Sequence, residues 1–142
     1  MIYTHCELRL TGDPAVLKKF NKDHWVPGIP WSFCPVAPVT AMDDEVLLAA
    51  WGCCSGPEPI GSCPFEVMYR GIRLRFRCAG GPPVTWLAKL AKKYPELNLY
   101  FTHATEATAV HGGISYVHGV IRTNEVEGDS QSTDDEVDNL LR

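Results

Sequence analysis

From Tyr69 to Cys78 the chain reads YRGIRLRFRC. Cationic and apolar residues alternate through it without a break, Arg73, Arg75 and Arg77 against Ile72, Leu74 and Phe76. Successive side chains of an extended strand point to opposite faces, so a strand sorts these six into one cationic row and one apolar row. A helix would scatter both sets around its circumference. The segment is therefore a strand with one buried face. FEVMY before it has strand composition, and Arg70-Gly71 between the two runs predicts a hairpin turn.

Other segments supply partners for that strand. Residues 2–10, IYTHCELRL, place Ile2, Thr4, Cys6, Leu8 and Leu10 on one face, which reads as a half-buried strand. In TGDP, Asp13 caps a helix and Pro14 takes its first position, where a missing N–H costs nothing. Val16, Leu17 and Phe20 form its apolar stripe, Lys18, Lys19 and Lys22 face water, and the helix ends near His24. Seven of the eleven prolines fall in residues 27–64, so that region is expected to be irregular. Within it IPWSF reads as a short strand. AMDDEVLLAAWG reads as a short helix capped by Asp43 or Asp44, packed through Val46, Leu47, Ala50 and Trp51, and stopped by Gly52.

Further on, AGGPPVTWLAKLAKKYP predicts a helix opened by its prolines and ended by Pro95. Val84, Leu87, Leu90, Ala91 and Tyr94 supply its apolar face. LNLYFTH and ISYVHGVIR are two more strands, joined by a loop that contains His111-Gly112-Gly113. Strands and helices in this order predict an α+β fold, an antiparallel sheet with helices packed on one face.

Length and composition set the domain plan. A chain of 142 residues, 45% hydrophobic and 21% charged, is most simply one soluble globular domain. No apolar run approaches the roughly 18–20 residues that a membrane span needs. The start, MIYTHCELRLTGD, lacks the basic and apolar regions of a secretory signal, and no N-x-S/T acceptor occurs. An intracellular, reducing location and free thiols follow as expectations. The net charge of −4 is unevenly spread: residues 124–142 hold seven acids against Arg142 alone, which leaves residues 1–123 with 12 Lys/Arg and 10 Asp/Glu. The plan is thus a body over 1–123 and an acidic tail over 124–142. In that tail DDEVDNLLR spaces Val137, Leu140 and Leu141 as a short docking helix would.

Two regions carry candidate chemistry. The arginine row, with Arg70 beside it, needs counter-anions. Nucleic-acid phosphates fit its planar forks, with Tyr69 or Tyr100 nearby; internal Glu7, Glu66 or the acidic tail fit equally. No RNP-like motif accompanies the row. The other region is WGCCSGPEPIGSC, residues 51–63, which holds Cys53, Cys54 and Cys63. Adjacent cysteines converge poorly on a tetrahedral metal, and the end of a helix disfavours a thiolate, so neither a metal site nor a nucleophile is expected. His111-Gly112-Gly113 is similar to an oxyanion loop but lacks a G-x-S-x-G partner. No phosphate-cradling glycine motif occurs, and no cofactor is expected.

The chain resembles the YubB-type ferredoxin-like domain family of plasmids, phages and other mobile elements. Three stretches carry the resemblance: Trp51-Gly52 before the loop, RLRFRCAGGPPVTWLAKLAKKYPELNLYF, and the closing segment with Gly112, Gly113, Tyr116 and Gly119. Cys53-Cys54 and Arg77-Cys78-Ala79 depart from the family pattern. The resemblance implies a ferredoxin-like sheet and a viral, phage or mobile-element setting, with no mechanism. The expected function is a non-enzymatic binding protein, with self-association. Nucleic-acid binding through Arg70, Arg73, Arg75 and Arg77 is the first alternative, and a cysteine-dependent or metal-binding activity at 53–63 the second.

Overall fold

Strand β4 (Gly71–Ala79) organises the molecule. The computed structural model describes residues 2–24, 32–61, 64–106 and 110–127, with side chains described only to Asn124 at the end. Along its whole length β4 pairs with β1 (Tyr3–Thr11), from Tyr3 opposite Ala79 to Thr11 opposite Gly71. On its other side it takes β2 (Glu58–Pro59) and, through a tight hairpin, β3 (Phe65–Met68). β1 pairs next with β5 (Asn98–Thr105), β5 with β6 (Val110–Val117), and β6 with β7 (Val120–Glu127). Every pairing is antiparallel, and the sheet runs β2-β4-β1-β5-β6-β7 with β3 beside β4. With the three helices found among the described residues this is the predicted α+β class.

One face of the sheet carries the core. Ile72, Leu74, Phe76 and Cys78 of β4, Cys6, Leu8 and Leu10 of β1, and Leu99 and Phe101 of β5 are all buried there. The helices α1 (Pro14–His24), α2 (Asp44–Trp51) and α3 (Val84–Lys93) contribute Leu17, Phe20, Leu47, Trp51, Trp86, Leu87 and Leu90 to the same cluster. Local chemistry explains each start and stop. Asp13 accepts from the Ala15 amide at 2.8 Å ahead of Pro14, and Asp43 accepts from the Val46 amide at 3.0 Å. Gly52 ends α2 at φ 89°, and a side chain there would lie 3.1 Å from the backbone of Val84 and Thr85. No helix among the described residues is long and apolar enough to cross a membrane.

Four local expectations change. Ser32 and Phe33, the described part of IPWSF, form no strand; Phe33 starts a turn and sends its ring among Trp51, Phe76 and Trp86. In α3 the stripe shifts from Val84, which is 42% exposed, to Trp86, because the indole offers more apolar area to the core. His111-Gly112-Gly113 is no loop: it lies inside β6, paired with Ala104, His103 and Thr102. The turn comes later, at His118 (φ 51°) and Gly119 (φ 79°), the two positive φ values of a two-residue hairpin turn. Strand β7 consequently continues through Asn124 to Glu127, so the acidic stretch begins within the sheet. Val137, Leu140 and Leu141 lie outside the described residues.

Candidate functional site: the polar face of the sheet

Alternation along the strands places a second set of side chains on the face opposite the helices. The register lines them up in rows across the sheet. One row runs Arg73, Arg9, Tyr100, Ser115 and Arg122; the next runs Arg75, Glu7, Thr102, Gly113 and Asn124; a third runs Arg77, His5, Ala104 and His111. The arginine stripe of the sequence therefore exists as one continuous feature, backed by the buried Ile72, Leu74 and Phe76.

Its charge is balanced from within. Arg75 donates through Nε to Glu7 at 2.9 Å, and Arg73 Nε lies 3.7 Å from the same carboxylate oxygen. Arg73 also donates through Nη2 to Glu66 at 2.5 Å, and Arg77 through Nε to Glu58 at 2.7 Å. The Arg77 guanidinium in addition sits over the Tyr3 ring, 4.1 Å from its centroid. Glu7, with its side chain only 17% exposed, is the hub, because two arginines converge on one poorly solvated carboxylate. Arg70 stays apart, exposed at the hairpin turn with its guanidinium 5.5 Å from the Tyr69 centroid. At the far end of the face His5 approaches Glu106 at 3.4 Å.

Of the internal anions read from the sequence, Glu7 and Glu66 take their expected roles. Glu58 was hidden by its context: a two-residue strand beside proline has no periodicity to reveal it, and only the pairing of Glu58 with Arg77 brings the charges together.

Cys6, Cys53 and Cys78 are buried, and their thiols donate to backbone carbonyls, Cys53 to Ser55 at 3.3 Å, Cys78 to Gly81 at 3.4 Å and Cys6 to Thr4 at 3.6 Å. The neighbouring Cys78 thiol, followed by burial, pushes the Cys53 thiol far up. At Cys78 the Cys53 thiol pulls the other way, but the Cys6 thiol and burial outweigh it and the thiol is raised as well. Burial and the charge of Asp44 also raise Cys54. Cys53, Cys54 and Cys78 are thus all shifted toward the thiol form, the opposite of an activated nucleophile. The loop itself is anchored to the end of β4: the Cys54 amide donates to the Ala79 carbonyl at 2.7 Å, and the Ala79 amide donates to Ser55 Oγ at 2.9 Å. Cys6, Cys34, Cys53, Cys54 and Cys78 are free, and Cys63 lies outside the described residues. Among the described residues no three His, Cys, Asp or Glu side chains are grouped to hold a metal ion.

No family model matches the chain, and no curated protein and no solved structure matches it.

Proposed function

We propose that this chain is a non-enzymatic binding protein that self-associates through the outer edge of β7. One observation carries the reading: β7 is an eight-residue edge strand, and among the described residues no strand pairs with its outer side. The two-residue turn at His118-Gly119 closes on the hydrogen-bonded pair Val117 and Val120. Parity then sets the ladder. Val120, Arg122 and Asn124 exchange bonds with β6, while the N–H and C=O groups of Ile121 and Thr123 point outward.

Such an edge is a template for another strand. A second copy suits it, because two-fold antiparallel pairing keeps each face of the sheet on its own side. With Thr123 on the axis, Arg122 of each copy lies opposite Asn124 of the other, Ile121 lies opposite Glu125, and no like charges lie directly opposite one another. Sedimentation velocity tests this. The wild-type mass should rise with concentration from 15.7 kDa toward twice that value. Thr123→Pro should stay monomeric with its fold intact, since it removes only an outward N–H. A wild-type monomer at every concentration, or a Thr123→Pro variant that associates equally well, would overturn the reading.

The arginine face favours a second reading, binding of nucleic acid. Arg77 over Tyr3, and the half-buried Tyr100 beside Arg9, combine cations and rings on one sheet face as single-strand binders do. The ion pairs weigh against it, because phosphate would have to displace Glu7, Glu58 and Glu66. A steep loss of affinity with salt, abolished by Arg73→Gln, Arg75→Gln and Arg77→Gln together, would establish it over the first reading.

The core order β3-β4-β1-β5, with α1 and α2 between β1 and β3 and α3 between β4 and β5, supports a ferredoxin-like reading with β6–β7 added at one side. Together with Trp51-Gly52 and the run from Arg73 to Phe101 it supports the resemblance to the YubB-type domain. We take from that resemblance only a setting in a virus, phage or mobile element.

A further inference from the structure

Among the described residues, the three helices leave part of the core-side face uncovered. Beyond α3, beside the end of β6 and the turn at Gly119, lies a groove with a volume of about 380 Å³. Ala88, Ala91 and Lys92 of α3 form one wall, Pro95 and Leu97 close an end, and Tyr116 lies on the floor. Ile121, directly opposite Tyr116 in the ladder, extends that floor and is 54% exposed. A groove of this size and lining is suited to an amphipathic helix that presents two or three aliphatic side chains.

We propose that Val137, Leu140 and Leu141, from this chain's own C-terminal segment, occupy that groove as one face of a short helix. Spacing, reach and charge each support it. Val137, Leu140 and Leu141 stand at i, i+3 and i+4, so a helical turn puts all three on one side. Strand β7 ends at Glu127, at the far end of the sheet from Tyr116. The return from there to the level of Ile121 is six residues of strand, about 20 Å. The nine residues 128–136 span up to about 30 Å when extended, so the segment reaches with slack.

Charge sets the orientation. Asp134, Asp135, Glu136 and Asp138 surround the apolar trio, and Lys92 stands on the groove wall. Its neighbours Lys89 and Lys93 already donate to the carbonyls of Ala50 and Pro35, at 3.1 and 2.8 Å, which leaves Lys92 as the cation that faces the tail. The arginine face competes less well for these acids, because Arg73, Arg75 and Arg77 already hold carboxylates. This inference uses the core side of the sheet and stands independently of the β7 edge.

Methyl-labelled full-length protein tests it by nuclear Overhauser contacts. The expected result is cross-peaks from the methyls of Leu140 and Leu141 to the Tyr116 ring and the Ala91 methyl. They should persist in a mixture of labelled and unlabelled chains filtered for contacts within one chain. Lys92→Glu, which reverses the wall charge without entering the core, should weaken those peaks by roughly two-fold or more. Absence of the contacts, contacts to Tyr100 on the opposite face instead, or contacts found only between different chains would each overturn the proposal.

Discussion

Replacing Glu7 by Gln removes one negative charge and little volume from the centre of the polar face. Its carboxylate lies 2.9 Å from Arg75 Nε and 3.7 Å from Arg73 Nε. At an effective dielectric constant of 20, the nearer pair alone is worth about 6 kcal/mol of Coulomb attraction before desolvation. Most of that is returned, because the two arginines are themselves 37% and 30% exposed and regain water when the anion goes. A charge-assisted bond in such a half-buried place contributes about 1.5–2 kcal/mol net, to which the repulsion among Arg9, Arg73 and Arg75 adds. Glu7→Gln should therefore lower the melting temperature by about 4–8 °C. A cycle with Arg75→Gln should return a coupling of at least about 1 kcal/mol, since the partners touch. The same variant should bind a polyanion more tightly than wild type at low salt, because its stripe has lost the hub anion. Stability within about 0.5 kcal/mol of wild type, with no coupling to Arg75, would refute the claim that Glu7 neutralises the row.

Two further expectations come from other parts of the molecule. Burial holds the His24 imidazole below its ordinary pKa, partly offset by its hydrogen bond to the Phe20 carbonyl at 2.9 Å, so the folded state binds this proton less readily than the unfolded chain. Stability should be level above about pH 6.5 and fall as the pH drops below it; urea midpoints of wild type and His24→Gln should diverge less at pH 5 than at pH 7.5. In a Cys63→Ser background, a thiol reagent should modify the exposed Cys34 at once and reach Cys6, Cys53 and Cys78 only on unfolding. A Cys53 that reacts as fast as Cys34 would contradict the buried, protonated thiol cluster.

The sequence made strands and helices legible wherever one face is apolar. The β1 and β4 alternation, the Asp13 and Asp43 caps and the Gly52 stop all follow from short-range chemistry, and all occur as expected. What escaped was set by pairing across the sheet. His111-Gly112-Gly113 has turn composition, yet a central strand position between β5 and β7 holds it extended. Glu58 has no pattern around it, and it became part of the site only because β2 docks on β4. The thiol cluster joins residues 6, 53 and 78, which no local spacing connects. The arginine row was visible, but whether its counter-anions were internal depended on which carboxylates the register brought opposite it.

Amide hydrogen exchange along β7, measured as a function of protein concentration, tests the central claim most directly. Self-association through this edge predicts that the outward amides of Ile121 and Thr123 exchange quickly in dilute solution and gain protection as concentration rises. Those of Arg122 and Asn124, bonded to β6, should be protected throughout. Protection of Ile121 and Thr123 that does not change with concentration would contradict it.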